Sequence, residues 1–489
     1  MNVTLIYPLL SKNRSVAEQN KQYWPPLGIA YIASVLIENG HAVQILDRDL
    51  ILRKNRLNFA KADKITLDLI ERFDTQIIGF SVTTPNVSDV KYFSEEIKRM
   101  NPKITTIIGG PHCAGEPVAT LQMCPGIDML VRGEGEMAML DIVNCLPLDS
   151  IGNLTYRKSD GDIASNDDRP LIELLDSLPF PDRDLLDMSY YTRPSRFISR
   201  NLSLRTTHVF TARGCPYNCH YCAGPLIGKR RVRYHSVQRV VSEIEELIGK
   251  YSIEAVYFAE DMFLSNKKRS EEMMAFFMEH GIHKRIVWMA QISASVATPE
   301  LLSMMKKAGC VHVEYGFESG SQRVLDLMNK KSTVERNKEV AQFTRKSGLR
   351  FQGNFIVGYP GETEEDFKKT ISFIRETRPN NASLNIFSPL PGTEIYKILK
   401  SEERLLPGWD DIGNSETPDI NYADMPPSQF ERLYFNAKLK VILPINLRHF
   451  LEDNIRHPFR LFYVITTQFK SVLSRTVKAM IQLCRLRKR

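Results

Sequence analysis

The sequence predicts an α/β chain in two parts: an N-terminal doubly wound, Rossmann-like parallel sheet, then a partial (β/α)6 barrel of the TIM-barrel kind. Three observations lead there. At 489 residues the chain is too long for one ordinary core. Its 43% hydrophobic and 25% charged residues are those of a folded globular protein. Short β-branched runs alternate with helical stretches along residues 1–145, and again along 201–398, which is the pattern of parallel strands joined by helical crossovers.

In the first part the strands are NVTLIYP, HAVQILD, TQIIGFSV, KITTIIGG and IDMLVRGEGE, each ending near Pro, Gly, Ser or Asp. Stretches such as GIAYIASVLIENG and DVKYFSEEIKRM supply helices between them. A ligand of such a sheet sits at the carboxyl ends of its strands. Residues 146–200, with LDSLPFPDRDLLD, show little periodicity and are expected to be a connector. The second set is HVFTARG, EAVYFAED, IVWMAQISA, VHVEYGFES, FQGNFIVGYPG and ASLNIFSPL, whose chemistry belongs at the carboxyl-end mouth of a barrel. Residues 399–489 turn to Pro-broken segments, a mostly helical region and a basic tail.

That tail is the source of the net charge of +8. Residues 459–489 hold eight Lys or Arg and no acid; 65 less these eight leaves 57 bases against 57 acids elsewhere. Phe462, Ile465, Phe469, Val472, Leu473, Val477 and Met480 recur at helical spacing among the bases. Such a helix either lies in a membrane interface or packs its stripe on the barrel. Nucleic acid is not expected as a partner, because the tail lacks an aromatic stacking platform. No run approaches a spanning helix, and MNVTLIYPLL lacks the features of a secretory signal. A cytoplasmic protein is expected, peripheral on the inner membrane face where the tail takes the first of these two roles.

Three of the eight cysteines, Cys215, Cys219 and Cys222, fall within eight positions of FTARGCPYNCHYCAGP. Thiolates suit zinc or an iron–sulfur cluster. Zinc would need a fourth protein ligand, for which only His220 is near; a four-iron cluster on three thiolates leaves one iron open.

The spacing C-x3-C-x-aromatic-C, after the first barrel strand, resembles the signature of the radical S-adenosylmethionine (SAM) superfamily. YFAEDMFLSN, EYGFESGSQ and GNFIVGYPGETEED fit the same family, so the resemblance covers roughly residues 200–395. It implies a [4Fe-4S] cluster whose open iron binds SAM, and reductive cleavage to a 5′-deoxyadenosyl radical. It further implies that Tyr221 lies near adenine and that Glu260 and Asp261 lie near the SAM amino group. Gln291, Ser293 and Glu318 are implied as ribose or carboxylate contacts, and Gly358 as part of the adenine-side strand. A low-potential electron donor of flavodoxin or ferredoxin type follows from the same resemblance.

The leading domain, through YWPPLGIAYIASVL, GFSVTTP, IGGPH and DMLVRGEGE, resembles the cobalamin-binding domain of B12-dependent radical SAM enzymes. The match implies Ser81 and Thr83 beside the nucleotide tail, Gly109 and Gly110 allowing close backbone approach, and Gly133 and Glu134 in the last loop. RGEGEM is not a dinucleotide fingerprint. The D-x-H-x-x-G segment that supplies a cobalt ligand is missing, so cobalamin is expected base-off with no protein His ligand. His112 in GGPHC is either a cobalt ligand or a hydrogen-bonded loop residue. The implied activity is methylation of an unactivated carbon of a small-molecule, lipid or tetrapyrrole-type substrate. Radical oxidation, cyclisation or rearrangement, and a corrinoid- or cluster-binding sensor without turnover, are the alternatives. A methylthiotransferase would bring a second cysteine trio, and Cys113, Cys124 and Cys145 are scattered.

Overall fold

The structure is a computed structural model, which describes residues 1–9, 24–195, 197–198, 203–405, 409, 412 and 421–455. The basic tail therefore lies outside the described residues. The five expected N-terminal strands form as β1 (Asn2–Tyr7), β2 (Ala42–Asp47), β3 (Ile77–Ser81), β4 (Thr105–Gly109) and β5 (Met129–Val131). They pair in parallel in the order β2-β1-β3-β4-β5. Alternate side chains feed two cores: Leu5, Ile77, Ile107 and Val131 face one helical layer, and Ile6, Ile78, Ile108 and Leu130 the other. Burial on both faces is why these strands are apolar nearly throughout.

Residues 146–200, expected as a connector, add two further strands to this sheet. These are β6 (Leu154–Arg157) and β7 (Ile163–Ser165), antiparallel at the β5 edge. Their three or four residues are too few for periodicity to register.

The second alternation forms six parallel strands in sequential order: β8 (Thr206–Val209), β11 (Ala255–Phe258), β12 (Val287–Ile292), β13 (Cys310–Glu318), β14 (Arg350–Val357) and β15 (Asn381–Ile386). Between the first two, β9 (Ala212–Arg213) and β10 (Arg233–Tyr234) pair antiparallel and close the long loop carrying the cysteine triplet. Trp288, Tyr315, Phe317, Phe351 and Phe355 pack outward against the surrounding helices in one large core. Those helices start where the sequence supplies caps: Ser236 accepts from the Arg239 amide, and Thr363 with Asp366 closes a capping box.

Helices Pro427–Ala437 and Leu443–Ile455 follow the barrel, with Phe430, Tyr434 and Phe435 buried in its outer core. The open edge at β15 is met by Asn446, which accepts from the Ala382 amide (3.0 Å) and donates to its carbonyl (3.2 Å). Among the described residues no helix is long and apolar enough to cross a membrane.

Candidate functional site

A cavity of about 400 Å³ lies where the two parallel sheets meet. Ser81, Gly109, Gly110, Gly133 and Glu134 line it from the strand ends of the first sheet, and Glu260, Asp261 and Gly224 from the barrel mouth. Leu5, Ile29, Ile32, Phe80, Ile107, Val131 and Met139 make much of the wall apolar. The position obeys the rule for open α/β sheets, since β1 and β3 flank the point where strand order reverses.

The glycines divide by reason. At Gly110 the backbone has φ +109°, and a Cβ would stand 2.5 Å from the Val82 carbonyl oxygen, so only glycine fits. At Gly28, Gly109 and Gly133 a Cβ would meet no protein atom closer than 3.7 Å, although all three line the cavity. At Gly28 and Gly109 the bare backbone leaves room for a ligand rather than relieving a clash, whereas Gly133 is also called for by its φ of +74°.

Thr83 is not among the lining residues. Its amide (3.2 Å) and hydroxyl both engage Asn86, opening the turn Thr84–Asn86. Glu134 lines the cavity with its carboxylate occupied: Arg233 (2.9 Å), Arg213 (3.1 Å) and the Ile172 amide (3.0 Å) all donate to it. These ion pairs hold its carboxyl below the usual range despite burial, and together with Arg213–Glu136 (2.7 Å) they clamp β9 and β10 to the first domain. Among the described residues no histidine lines the cavity. His112 stands between Thr84 Oγ1 (3.2 Å) and Thr120 Oγ1 (3.0 Å), edge-on to Trp409, and burial lowers it to about 4. It is a hydrogen-bonded loop residue.

The cysteine loop begins at Gly214, where φ is +96° and a Cβ would stand 2.0 Å from the Arg231 carbonyl oxygen. Cys215, Cys219 and Cys222 are free, half-buried thiols. Burial pushes all three up, Cys222 to about 11; Lys330 acts in the opposite direction at Cys219. Among the described residues no three His, Cys, Asp or Glu side chains converge as they would around a single metal ion. His220 Nδ1 is hydrogen-bonded with the Leu327 carbonyl (3.1 Å), and among the described residues its ring does not converge with the cysteines as the zinc alternative needs. Its neighbours fasten the loop to the barrel. Tyr217 bonds Ser295 (2.7 Å), which reaches Ser293 (2.8 Å), and Asn329 donates to the Asn218 carbonyl (2.7 Å). The Gly224 amide donates to Cys222 Sγ at 3.4 Å.

Glu260 is buried, with both oxygens bonded to the amide and hydroxyl of Thr211, and burial raises it to about 7. Asp261 opens on the cavity, while the protein on its other sides raises its carboxyl. A Cβ on Gly224 would stand 3.4 Å from Cys222 Sγ and 3.7 Å from Asp261 Oδ2, so the thiol and the carboxylate share one corner. Tyr221, Gln291, Ser293, Glu318 and Gly358 lie outside the cavity lining. Glu318 ends β13 with φ +61°, an expensive conformation for a side-chain-bearing residue. It meets Lys330 Nζ at 3.0 Å, which also reaches the Tyr221 hydroxyl at 3.4 Å. Gly358 has φ +79° and packs under Phe430. Lys330, Arg213 and Arg233 carry no signal in the sequence, because each acquires its partner through tertiary contact.

Family models match in the same order along the chain: the B12 binding domain over residues 14–143 and the radical SAM superfamily over 209–374. An uncharacterized methyltransferase of Pyrococcus horikoshii is 34% identical over 386 residues, spanning 78% of this chain and 80% of that protein. The anaerobic magnesium-protoporphyrin IX monomethyl ester cyclase of Rubrivivax gelatinosus is 27% identical over 408 residues, spanning 82% of this chain and 70% of its own. Among solved structures, the radical SAM methyltransferase TsrM of Kitasatospora setae, with cobalamin and a [4Fe-4S] cluster bound, shares the fold. Its TM-score is 0.66 at 17% identity, covering 82% of this chain and 78% of that one.

Proposed function

The chain belongs to the radical SAM enzymes that carry a B12-binding domain, and from that premise we propose that it methylates an unactivated carbon of its substrate. The reading rests on one observation above the rest. A single cavity runs from the strand ends at Gly109 and Gly110 to Asp261 and Gly224, beside Cys222.

The donor set fits the groups. Cys215, Cys219 and Cys222 would hold a cluster at three irons, and Tyr221, Glu260, Asp261, Gln291, Ser293, Glu318 and Gly358 would surround SAM. Ser81, Gly109, Gly110 and Gly133 would hold cobalamin, base-off in keeping with the missing D-x-H-x-x-G segment; among the described residues no histidine lines the cavity. When bound, the cluster and SAM supply a 5′-deoxyadenosyl radical that takes hydrogen from carbon, and cobalamin supplies the methyl group.

The chain's own part is positioning. Thr211 fixes the buried Glu260, leaving Asp261 as the open carboxylate to accept from an ammonium group. Lys330 neutralises Glu318 beside the cysteine loop, and its charge favours thiolates there. A flavodoxin- or ferredoxin-type protein would deliver the electron.

The test is anaerobic reconstitution followed by SAM carrying a deuterated methyl group, with dithionite and substrate. 5′-Deoxyadenosine together with a labelled product is expected. The likeness to the cyclase favours a second reading, oxidation or cyclisation without methyl transfer, which would give deoxyadenosine and an unlabelled product. A sensor would keep its output when Cys219 is replaced by Ala.

A further inference from the structure

The inner face of the barrel is polar along its last two strands. Along β14 and β15 every second residue is fully buried outward, and each residue between is half-buried and faces inward. The outward set, Phe351, Phe355, Leu384 and Ile386, is apolar. The inward set is polar except for Ile356 near the mouth. Strand register places Gln291, Glu314, Gln352 and Asn381 in one row across four neighbouring strands. The next row toward the mouth carries Asn354 and Ser383, with the Glu318 carboxylate standing over Gly316 beside them.

Part of this surface satisfies itself. Asn381 Nδ2 donates to Gln352 Oε1 (2.7 Å), and Gln352 Nε2 donates to Asn354 Oδ1 (2.8 Å). Ser383 donates to Asn385 Oδ1 at 3.1 Å. The rest remains open. Asn381 Oδ1 is buried without a partner. Glu314 has a single long contact, accepting from the Tyr257 hydroxyl at 3.5 Å. The amide NH2 groups of Asn354 and Asn385 donate to no group among the described residues. One buried oxygen without a partner, beside a carboxyl with one long contact and two amides whose N–H groups are unused, leaves hydrogen-bonding capacity that a polar ligand can take up.

We propose that the barrel lumen binds a water-soluble substrate dense in hydroxyl, amide or amine groups, with Glu314 accepting from one of its N–H or O–H donors. This rests on the radical SAM reading above and narrows it. A lipid chain or a tetrapyrrole face would leave the row of amides and the carboxyl unmatched. Burial raises Glu314 to about 7, which is the behaviour of a carboxyl held for a partner that the protein itself does not supply.

The experiment uses the full, reconstituted protein and a small-molecule extract of the cells that encode it, divided between water and chloroform. Two readouts run in parallel: Tm, which needs no turnover, and deoxyadenosine formation. The water-soluble fraction is expected to raise Tm by on the order of 2 °C and to stimulate deoxyadenosine. In Glu314→Gln and Glu314→Leu the stimulation should fall roughly tenfold or more. Their own Tm should hold or rise, because an unpartnered buried carboxyl is being removed; a structural role would lower it. A response to the chloroform fraction alone, to neither fraction, or undiminished in both variants overturns the assignment. A Tm response to the water-soluble fraction without SAM cleavage sinks the radical reading and leaves the lumen assignment standing.

Discussion

The two parallel sheets use the same alternation of strand and helix and reach opposite solutions for where a ligand can sit. In the first, Leu5 and Ile6, or Ile107 and Ile108, send neighbouring side chains into two separate apolar cores. With both faces covered, only the strand ends remain open, and glycines cluster there. In the second, the sheet curls and covers one face only, so its inner face can be polar and wet. Glu314 and Gln352 face in while Tyr315 and Phe351 face out. A doubly wound sheet can offer a ligand its rim, whereas a half-barrel can offer its interior as well. The cavity forms where that rim meets the barrel mouth.

The contrast can be broken most decisively at the cysteine loop. Replacing Cys219 by Ala should remove the cluster, about four irons per chain, and all deoxyadenosine. Corrinoid absorbance should survive, since the first sheet supplies that site. Iron retained after all three cysteines are replaced would refute the ligand assignment.

Next in size is a pair of glycine substitutions on the rim. Gly110→Ala places a methyl 2.5 Å from the Val82 carbonyl at a φ of +109°, and should cost about 2 kcal/mol or more in urea unfolding. Gly28→Ala sits in a helix with nothing within 4 Å, so stability should hold or rise while corrinoid retention falls. Equal destabilisation by both would mean that the rim glycines serve packing alone.

The clamp between the two regions should come third. Arg233→Ala leaves Glu134 with Arg213 as its remaining cation and is expected to lower stability by about 2 kcal/mol. A thermal scan in which the first domain melts separately would show that the clamp joins two independent units.

The smallest effect is one of pH. Burial raises Glu362 to about 8, and one of its oxygens has no hydrogen-bond partner. The folded state therefore holds this proton more tightly than the unfolded chain does. The resulting stability is full below the ordinary carboxyl range and is lost as pH rises through about 8. Glu362→Gln should flatten that decline by on the order of 1 kcal/mol between pH 5 and 8, read from urea midpoints. An unchanged slope would assign the decline to other carboxyls.

Most of the architecture could be read in advance because each element writes its own periodicity. All eleven expected strands form, and the cysteine spacing marked its loop. β6 and β7 escaped notice because three or four residues set no period. Thr83 sat in a stretch that resembles a cofactor loop, yet its side chain serves the adjacent turn. Lys330 and Glu318 are twelve positions apart in a loop and a strand end, and nothing in either neighbourhood announces the pair.

The sequence by itself determined the order of strands and helices, the three thiols on one loop and the lack of a cobalt-binding histidine motif, since these depend on residues near one another in the chain. Tertiary structure alone decided that Thr211 holds both oxygens of Glu260 while Asp261 beside it stays exposed, that Glu134 clamps two domains, and that Glu314 lies in a row of amides. Those outcomes depend on which strand lies beside which and on the face each side chain takes, and burial and register set them only once distant segments have packed.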